Sequence, residues 1–501
     1  MSPQDASFLY LEDANNPMHV GSVAIFEGAP PKYGDVVRLV ARKLHMVPRY
    51  RQKVRIPPLQ LGRPVWVDDP HFQILYHIRH TAIPPPGSEE QLRNLAGRVL
   101  AQSLDRTKPL WELWVVEGLA DGRWAMVQKV HHCMVDGIAG TDLMSIVFDA
   151  RRDARLPAPV PWRPQPEPSD LRLAADALGD SVTAPLTRLQ GLPLVARSRL
   201  PNPQQVLDFG RSLARSSLPA RRQTASSLNG PIGPHRRWSW VKSSLDEMRE
   251  IKDALGGSVN DVVLTAITRG FRELLLGRGE PLEDRVVRTL VPVSVRSPAE
   301  RGAFNNRVSG VFPALPVGIS DPLETLEDIR SQMDGLKESR QAVAGEALTR
   351  LSGFAPPMWL ALGARLAARF PQRLVQTVTT NVPGPQQALY ICGRAMLECY
   401  PYVPIGGHIR VSIAIFSYHG RLSFGVTGDY DTMADVDTLC AGIEDGIAEL
   451  RQLAGKGDGG PSGAAGKRRR RPGPNGRRAA SNRRAQAARA EVGRKGPRTK
   501  G

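Results

Sequence analysis

The chain has 501 residues, 67 of them Lys or Arg and 49 Asp or Glu, a formal charge of +18. That length holds two or three domains with sizeable cores, and 41% hydrophobic with 23% charged residues excludes a wholly disordered or fibrous chain. The charge sits at one end: residues 455–501 carry fifteen Lys and Arg against two acids, net +13, which leaves +5 for the first 454. Four scattered cysteines, Cys133, Cys392, Cys399 and Cys440, share no C-x-x-C spacing, so neither a disulfide framework nor a zinc knuckle is expected. Met1-Ser2-Pro3-Gln4-Asp5 does not read as a signal peptide. No apolar run approaches the roughly 20 residues of a spanning helix. The expectation is a soluble or membrane-surface protein of a reducing compartment.

Residues 1–150 read as mixed α/β. Val20–Phe26 is a strand-like run, and Asp35–Leu44 and Gln91–Leu104 have helical spacing. Trp111–Val116 and Trp124–Val130 predict an antiparallel pair across the turn Asp121-Gly122. From residue 151 to 235 the texture changes. Prolines crowd Leu156–Pro168, and Leu171, Ala174, Ala175, Leu178 and Val182 then fall on one helical face. Residues 151–222 carry twelve basic and six acidic side chains. Two readings stand: a solvated helical crossover, or a basic amphipathic surface that meets anionic lipid. Residues 236–454 return to α/β, with strands expected at Trp238–Val241, Val286–Val295, Val308–Val311, Ile409–Phe416 and Arg421–Val426. Helices are expected at Val262–Leu276, Leu323–Glu338, Pro357–Phe370 and Val436–Leu453. Residues 455–501, rich in Gly, Pro, Ala and Arg, bury too little to offset their ordering entropy and should be a disordered basic tail.

His131-His132-Cys133-Met134-Val135-Asp136-Gly137 is the segment with chemistry in it. On a strand, adjacent side chains alternate faces, so only one of the two histidines can face a given site. That argues against a shared metal, and no further ligand cluster stands nearby. One reading makes both histidines ordinary core or surface residues. The other makes one imidazole a general base, because a neutral ring accepts a proton near pH 7. Nothing in the sequence marks Cys133 as an activated nucleophile. No G-x-S-x-G elbow or phosphate loop is present either. A base without an enzyme nucleophile suits direct acyl transfer to a substrate's own hydroxyl or thiol.

The H-H-x-x-x-D-G pattern is that of the CoA-dependent acyltransferases in the broad sense. Met1–Tyr10, Pro17–Gly21, Pro109-Leu110-Trp111, Leu228–Trp238, Val259–Val263 with Asn260-Asp261, and Asn381-Val382-Pro383-Gly384-Pro385 narrow it. In that order, from residue 1 to about 453, the chain resembles the bacterial wax ester synthase/acyl-CoA:diacylglycerol acyltransferases. The resemblance implies two chloramphenicol-acetyltransferase-like lobes (1–150 and 236–454) with a tunnel between them, joined by the 151–235 crossover. It implies acyl-CoA as donor substrate, no cofactor, and diacylglycerol or a long-chain alcohol as acceptor. His132 would be the general base, His131 its support, and Asp136 a structural ion-pair partner, with Arg296 as its mate. Gly137 would leave room where the chain turns into the next helix. Asn260 and Asp261 read first as a helix N-cap, Asn381–Pro385 as a turn able to wall a tunnel, and Trp111 as core or tunnel packing. A cytoplasmic enzyme that visits an anionic membrane or lipid droplet follows from these substrates.

Two other functions compete. One is an acyltransferase of the same superfamily with another donor or acceptor, such as a carrier protein. The other is a catalytically silent protein that binds polyanions or lipid through its tail. The tail lacks the interleaved aromatics of base-stacking binders, so no specific nucleic acid is expected.

Overall fold

The computed structural model describes residues 1–134, 144, 147–179, 223–224, 227–294, 308–338 and 375–457. Asp136, Gly137, Arg296, Val182, the expected helix 357–370 and the tail from residue 458 lie outside them. The chain divides into a unit Met1–Gly455, which carries nearly every element below, and a unit beginning at Lys456.

In chain order, α1 (Pro3–Leu11) leads to β1 (His19–Phe26), α2 (Tyr33–Lys43) and the hairpin β2 (Gln52–Arg55) with β3 (Val65–Asp68). The single turn α3 (Ile74–His77), β4 (Ile78–Ala82), α4 (Glu89–Ala101), β5 (Trp111–Glu117) and β6 (Trp124–His131) follow. The second half has β7 (Gln223–Thr224), β8 (Arg236–Ser244), α5 (Leu245–Leu255), α6 (Val259–Gly277) and β9 (Arg285–Ser294). It continues with β10 (Val308–Val311), β11 (Ala314–Leu315), α7 (Pro322–Glu338), β12 (Thr377–Pro383) and β13 (Tyr390–Ile391). β14 (Arg394–Tyr402), β15 (Val411–Tyr418), β16 (Arg421–Asp429) and α8 (Val436–Gly457) close it.

Two mixed sheets result. The first has the order β13-β14-β1-β6-β5-β4, and the second β10-β9-β12-β15-β16-β8. β6 lies between β1 and β5, antiparallel to both. Its residues are buried throughout, which explains a nearly unbroken apolar run. Within it Lys129 is fully buried, its ammonium donating to the Val99 and Gln102 carbonyls at 3.0 Å each and pairing with Glu112 at 3.1 Å. A cation there caps the C-terminal end of α4.

The expected elements that fall on described residues appear, with corrections. The helical residues 170–179 turn Leu173 and Ala177 inward and leave Leu171 and Leu178 exposed, so the stripe through Leu171 and Leu178 faces outward. Ala177 meets Gly62, where an added Cβ would crowd it, and that contact selects the face. The N-cap of α6 is Ser258. Asp261 is its reciprocal partner in a capping box, and Asn260 lies one position inside the helix start. Asn381, Val382 and Pro383 end β12, parallel to β15, instead of forming a turn; the chain leaves the strand at Gly384.

β13 and β14 come from the second half of the chain yet extend the first sheet beside β1. The chain therefore crosses between the sheets a second time. α4 and β8 fill the gap, with Trp238, Trp240, Leu92, Ala96, Tyr400 and Tyr402 in one apolar cluster. Trp240 and Tyr400 stack at 4.3 Å. Where β16 meets β14, Gly425 leaves room for the Pro401 carbonyl, which an added Cβ would overlap. A backbone oxygen cannot step aside as a side chain can. Gly425→Ala should therefore lower stability by about 3 kcal/mol, the upper end for overpacking, read as a shifted urea midpoint; an unchanged midpoint contradicts this packing.

Candidate active site

The strand does not carry both histidines. β6 ends at His131, and His132 opens a 3₁₀ turn, His132–Met134. The turn forms because the buried His131 ring folds back: its Nδ1 accepts the Cys133 N–H at 3.1 Å. His131 N–H donates to the Leu110 carbonyl at 2.9 Å, and His132 N–H to the Met18 carbonyl at 2.8 Å. The strand end is thus pinned from the residue before β5 on one side and from the segment before β1 on the other. The His132 ring stacks on Phe8 of α1, centroids 3.9 Å apart and planes 15° apart. Its Nδ1 is buried without a hydrogen-bond partner. Burial, with a smaller contribution from the charge of His131, lowers the His132 pKa to about 4, so the ring is neutral near pH 7.

Leu110 and Trp111 meet this strand end, Leu110 through its carbonyl and Trp111 as the register partner of Val130, while the Pro109 carbonyl accepts the Trp111 N–H at 3.0 Å. Trp111 is core: its indole N–H donates to the Tyr50 carbonyl at 2.8 Å, and its ring stacks on His77 at 4.6 Å. Cys133 and Met134 line a pocket of about 450 Å³, together with Met1, Asp5, Arg49, Tyr50 and Trp66. That volume is within the range of small-molecule sites. Burial drives the Cys133 thiol pKa far upward, which makes it a poor nucleophile. Among the described residues no group of His, Cys, Asp or Glu could hold a metal ion, and no helix is long and apolar enough to cross a membrane.

Of the other expected residues, Asp261 is buried with Oδ1 unpartnered, while Asn260 and Asn381 are half-buried. Gly384 N–H donates to Ser417 Oγ at 3.2 Å, and an added Cβ would strike the Phe416 ring. Contacts tying these four residues to His132 are absent among the described residues. Three neighbours of the histidines had no signal in the sequence. Glu12 Oε2 stands 3.4 Å from His131 Nε2 and accepts from Arg106 Nε at 2.8 Å. Phe8 supplies the stacking surface. His19 pairs across the sheet with His131, ring to ring at 6.0 Å, fully buried. Phe8 and His19 lie inside segments chosen for their resemblance, but only the pairing of β1 with β6 and the packing of α1 reveal their neighbours.

Two mixed sheets joined by strand exchange, with a histidine pair closing a central strand, define an acyltransferase-like fold of the chloramphenicol acetyltransferase and condensation-domain type. A trichothecene 15-O-acetyltransferase from Fusarium sporotrichioides shares it, with a TM-score of 0.58 and 12% identity over 90% of this chain and 94% of that one. The wax ester synthase/diacylglycerol acyltransferase from Marinobacter aquaeolei VT8 reaches 0.63 at 24% identity, over 91% of this chain and 99% of that one. The family model of the wax ester synthase/diacylglycerol acyltransferase catalytic domain matches residues 1–263, and that of the family's C-terminal domain residues 304–451. The chain belongs to the wax ester synthase/diacylglycerol acyltransferase family. A relative from Mycobacterium tuberculosis, named probable diacylglycerol O-acyltransferase tgs1, is 38% identical over 450 residues, 89% of this chain and 94% of its own length.

The buried histidines have a consequence for stability. Burial lowers the pKa of His19 to about 3 and of His77 and His132 to about 4, from 6.5. Between pH 6.5 and 4 the unfolded chain therefore binds more protons, and stability falls as pH falls. The melting temperature should drop steadily through that window in calorimetry; a flat profile would contradict the burial of these rings.

Proposed function

We propose that the protein transfers a long-chain acyl group from acyl-CoA to the free hydroxyl of diacylglycerol, with His132 as general base. The observation that carries this is the His132 ring, stacked on Phe8, held neutral by burial, on a turn whose next two residues wall a pocket. The hydroxyl proton passes to the imidazole as the oxygen attacks the thioester carbonyl. The carbon–sulfur bond then breaks, and the imidazolium returns its proton to the departing CoA sulfur. No enzyme atom is acylated. Acyl-CoA is substrate, and the step draws on no cofactor. Pro109, Leu110 and Trp111 hold the strand that presents the base. Asp136 is proposed as a structural partner of Arg296, and Gly137 as the relief at the following turn. Asn260, Asp261, Asn381, Pro383 and Gly384 are proposed as substrate-wall or structural residues. The name of the Mycobacterium tuberculosis relative favours diacylglycerol as acceptor. A long-chain alcohol is the second acceptor, because the family comprises wax ester synthases too.

Release of CoA, measured with and without diacylglycerol or hexadecanol, tests the reaction. His132→Ala should lower turnover by about 10²–10⁴, the usual worth of a positioned base, with the KM for acyl-CoA retained. A crippled His131→Ala beside a nearly normal His132→Ala would reverse the assignment.

Such an acceptor resides in a membrane or lipid droplet, and the protein is proposed to work at that surface from the cytoplasm. The basic tail would supply reversible attachment, each Lys or Arg near an anionic leaflet contributing about 1 kcal/mol at low salt. Removing the residues after Gly457, where α8 ends, should leave activity on detergent-dispersed substrate unchanged. It should weaken sedimentation with anionic vesicles at low salt. Equal sedimentation at every salt concentration would show that the tail is not the anchor.

A further inference from the structure

We infer that Glu12 is a positioning residue for His132, acting through two backbone links and one ring that converge on the turn after β6. The inference rests on the reading of His132 as base. Glu12 lies between α1 and β1 and is nearly buried, its side chain 6% exposed. Oε1 accepts the Met18 N–H at 3.2 Å, and the Met18 carbonyl accepts the His132 N–H at 2.8 Å. Oε2 accepts from Arg106 Nε at 2.8 Å and from its Nη2, and that Nη2 also donates to the Leu9 carbonyl at 3.0 Å and so ties down the end of α1. That helix carries Phe8 onto the His132 ring.

The third link runs through His131. The Cys133 N–H occupies Nδ1, so the ring proton belongs on Nε2. Nε2 faces Glu12 Oε2 at 3.4 Å, longer than a formed hydrogen bond, and has no hydrogen-bond partner of its own. His19 on the neighbouring strand has both ring nitrogens unpartnered and offers His131 no anion. Burial raises the Glu12 pKa, but the facing His131 ring and the ion pair and hydrogen bond with Arg106 outweigh it and hold it at about 2. The carboxylate is therefore ionised throughout the working range. It favours the His131 tautomer whose Nδ1 is free to hold the turn. A glutamine there has one acceptor oxygen for three donors, and its amide opposes Arg106 or His131 donor to donor.

The test uses the full chain, the CoA-release assay and ¹⁵N-histidine NMR. His131 should be protonated at Nε2 in the wild type and lose that preference in Glu12→Gln. Glu12→Gln should lower kcat about 100-fold, the scale of a misplaced catalytic group, with the KM for acyl-CoA unchanged. Glu12→Asp, which keeps the charge, should recover part of the rate. Placed in a His132→Ala chain, Glu12→Gln should cost nothing further, because the two act as a unit. A wild-type His131 protonated at Nδ1 overturns the proposal whether or not any variant folds. So does wild-type kcat in Glu12→Gln, or its full loss repeated in the His132→Ala background. A fully active His132→Ala chain would instead remove the base and leave the His131 tautomer result standing.

Discussion

The hydrogen bond from the Cys133 N–H to His131 Nδ1 decides what the rest of the site can be. It turns a strand into a tight turn between two adjacent histidines. One ring is kept wholly in the core and the next is placed just past the end of this central strand. Without it, β6 would run on and His132 would occupy the next position of the ladder with β1. The other contacts at this point keep that turn: Leu110 just before β5, Met18 from the approach to β1, and Phe8 from α1.

The cost of the arrangement is a concentration of ionisable groups in the interior of the first sheet. Lys129, Glu112, Glu12, His19, His77 and His131 are all buried or nearly so. Such groups are tolerated where they are paired. Lys129 meets two carbonyls and Glu112, and Glu12 meets Arg106 and the Met18 amide. His19 has neither, and its neutral form is what burial and the nearby Lys129 charge enforce. In the second sheet the buried charges among the described residues are Arg236 and Asp429, cross-strand partners on β8 and β16, beside a largely aliphatic core. The exchanged strand β14 and the Trp240–Tyr400 stack hold the two sheets together.

Much of this was legible in the sequence, and the reasons differ from element to element. β5 and β6 showed as dense apolar runs because both are central strands, and α4 as a periodic one because it buries a single face against a sheet. The histidine pair was legible because adjacent polar aromatics at the end of a buried strand need a reason. Which face residues 170–179 bury was not legible, because periodicity marks two candidate stripes and only the contact of Ala177 with Gly62 chooses between them. The N-cap was displaced by two residues because serine at position 258 and aspartate at 261 share the work. Asn381–Pro383 has turn chemistry, but its pairing with β15 keeps it extended until Gly384. Glu12 left no trace, since its partners lie far along the chain at Arg106 and His131.

The central claim is that acyl transfer is direct, with His132 taking the proton and no enzyme atom taking the acyl group. Mixing the protein with a slight excess of long-chain acyl-CoA in the absence of acceptor tests this most directly. The account predicts no burst of free CoA and an unchanged intact mass, with CoA appearing only when diacylglycerol or hexadecanol is added. One equivalent of CoA released without acceptor, together with an acyl group retained on the protein, would contradict it.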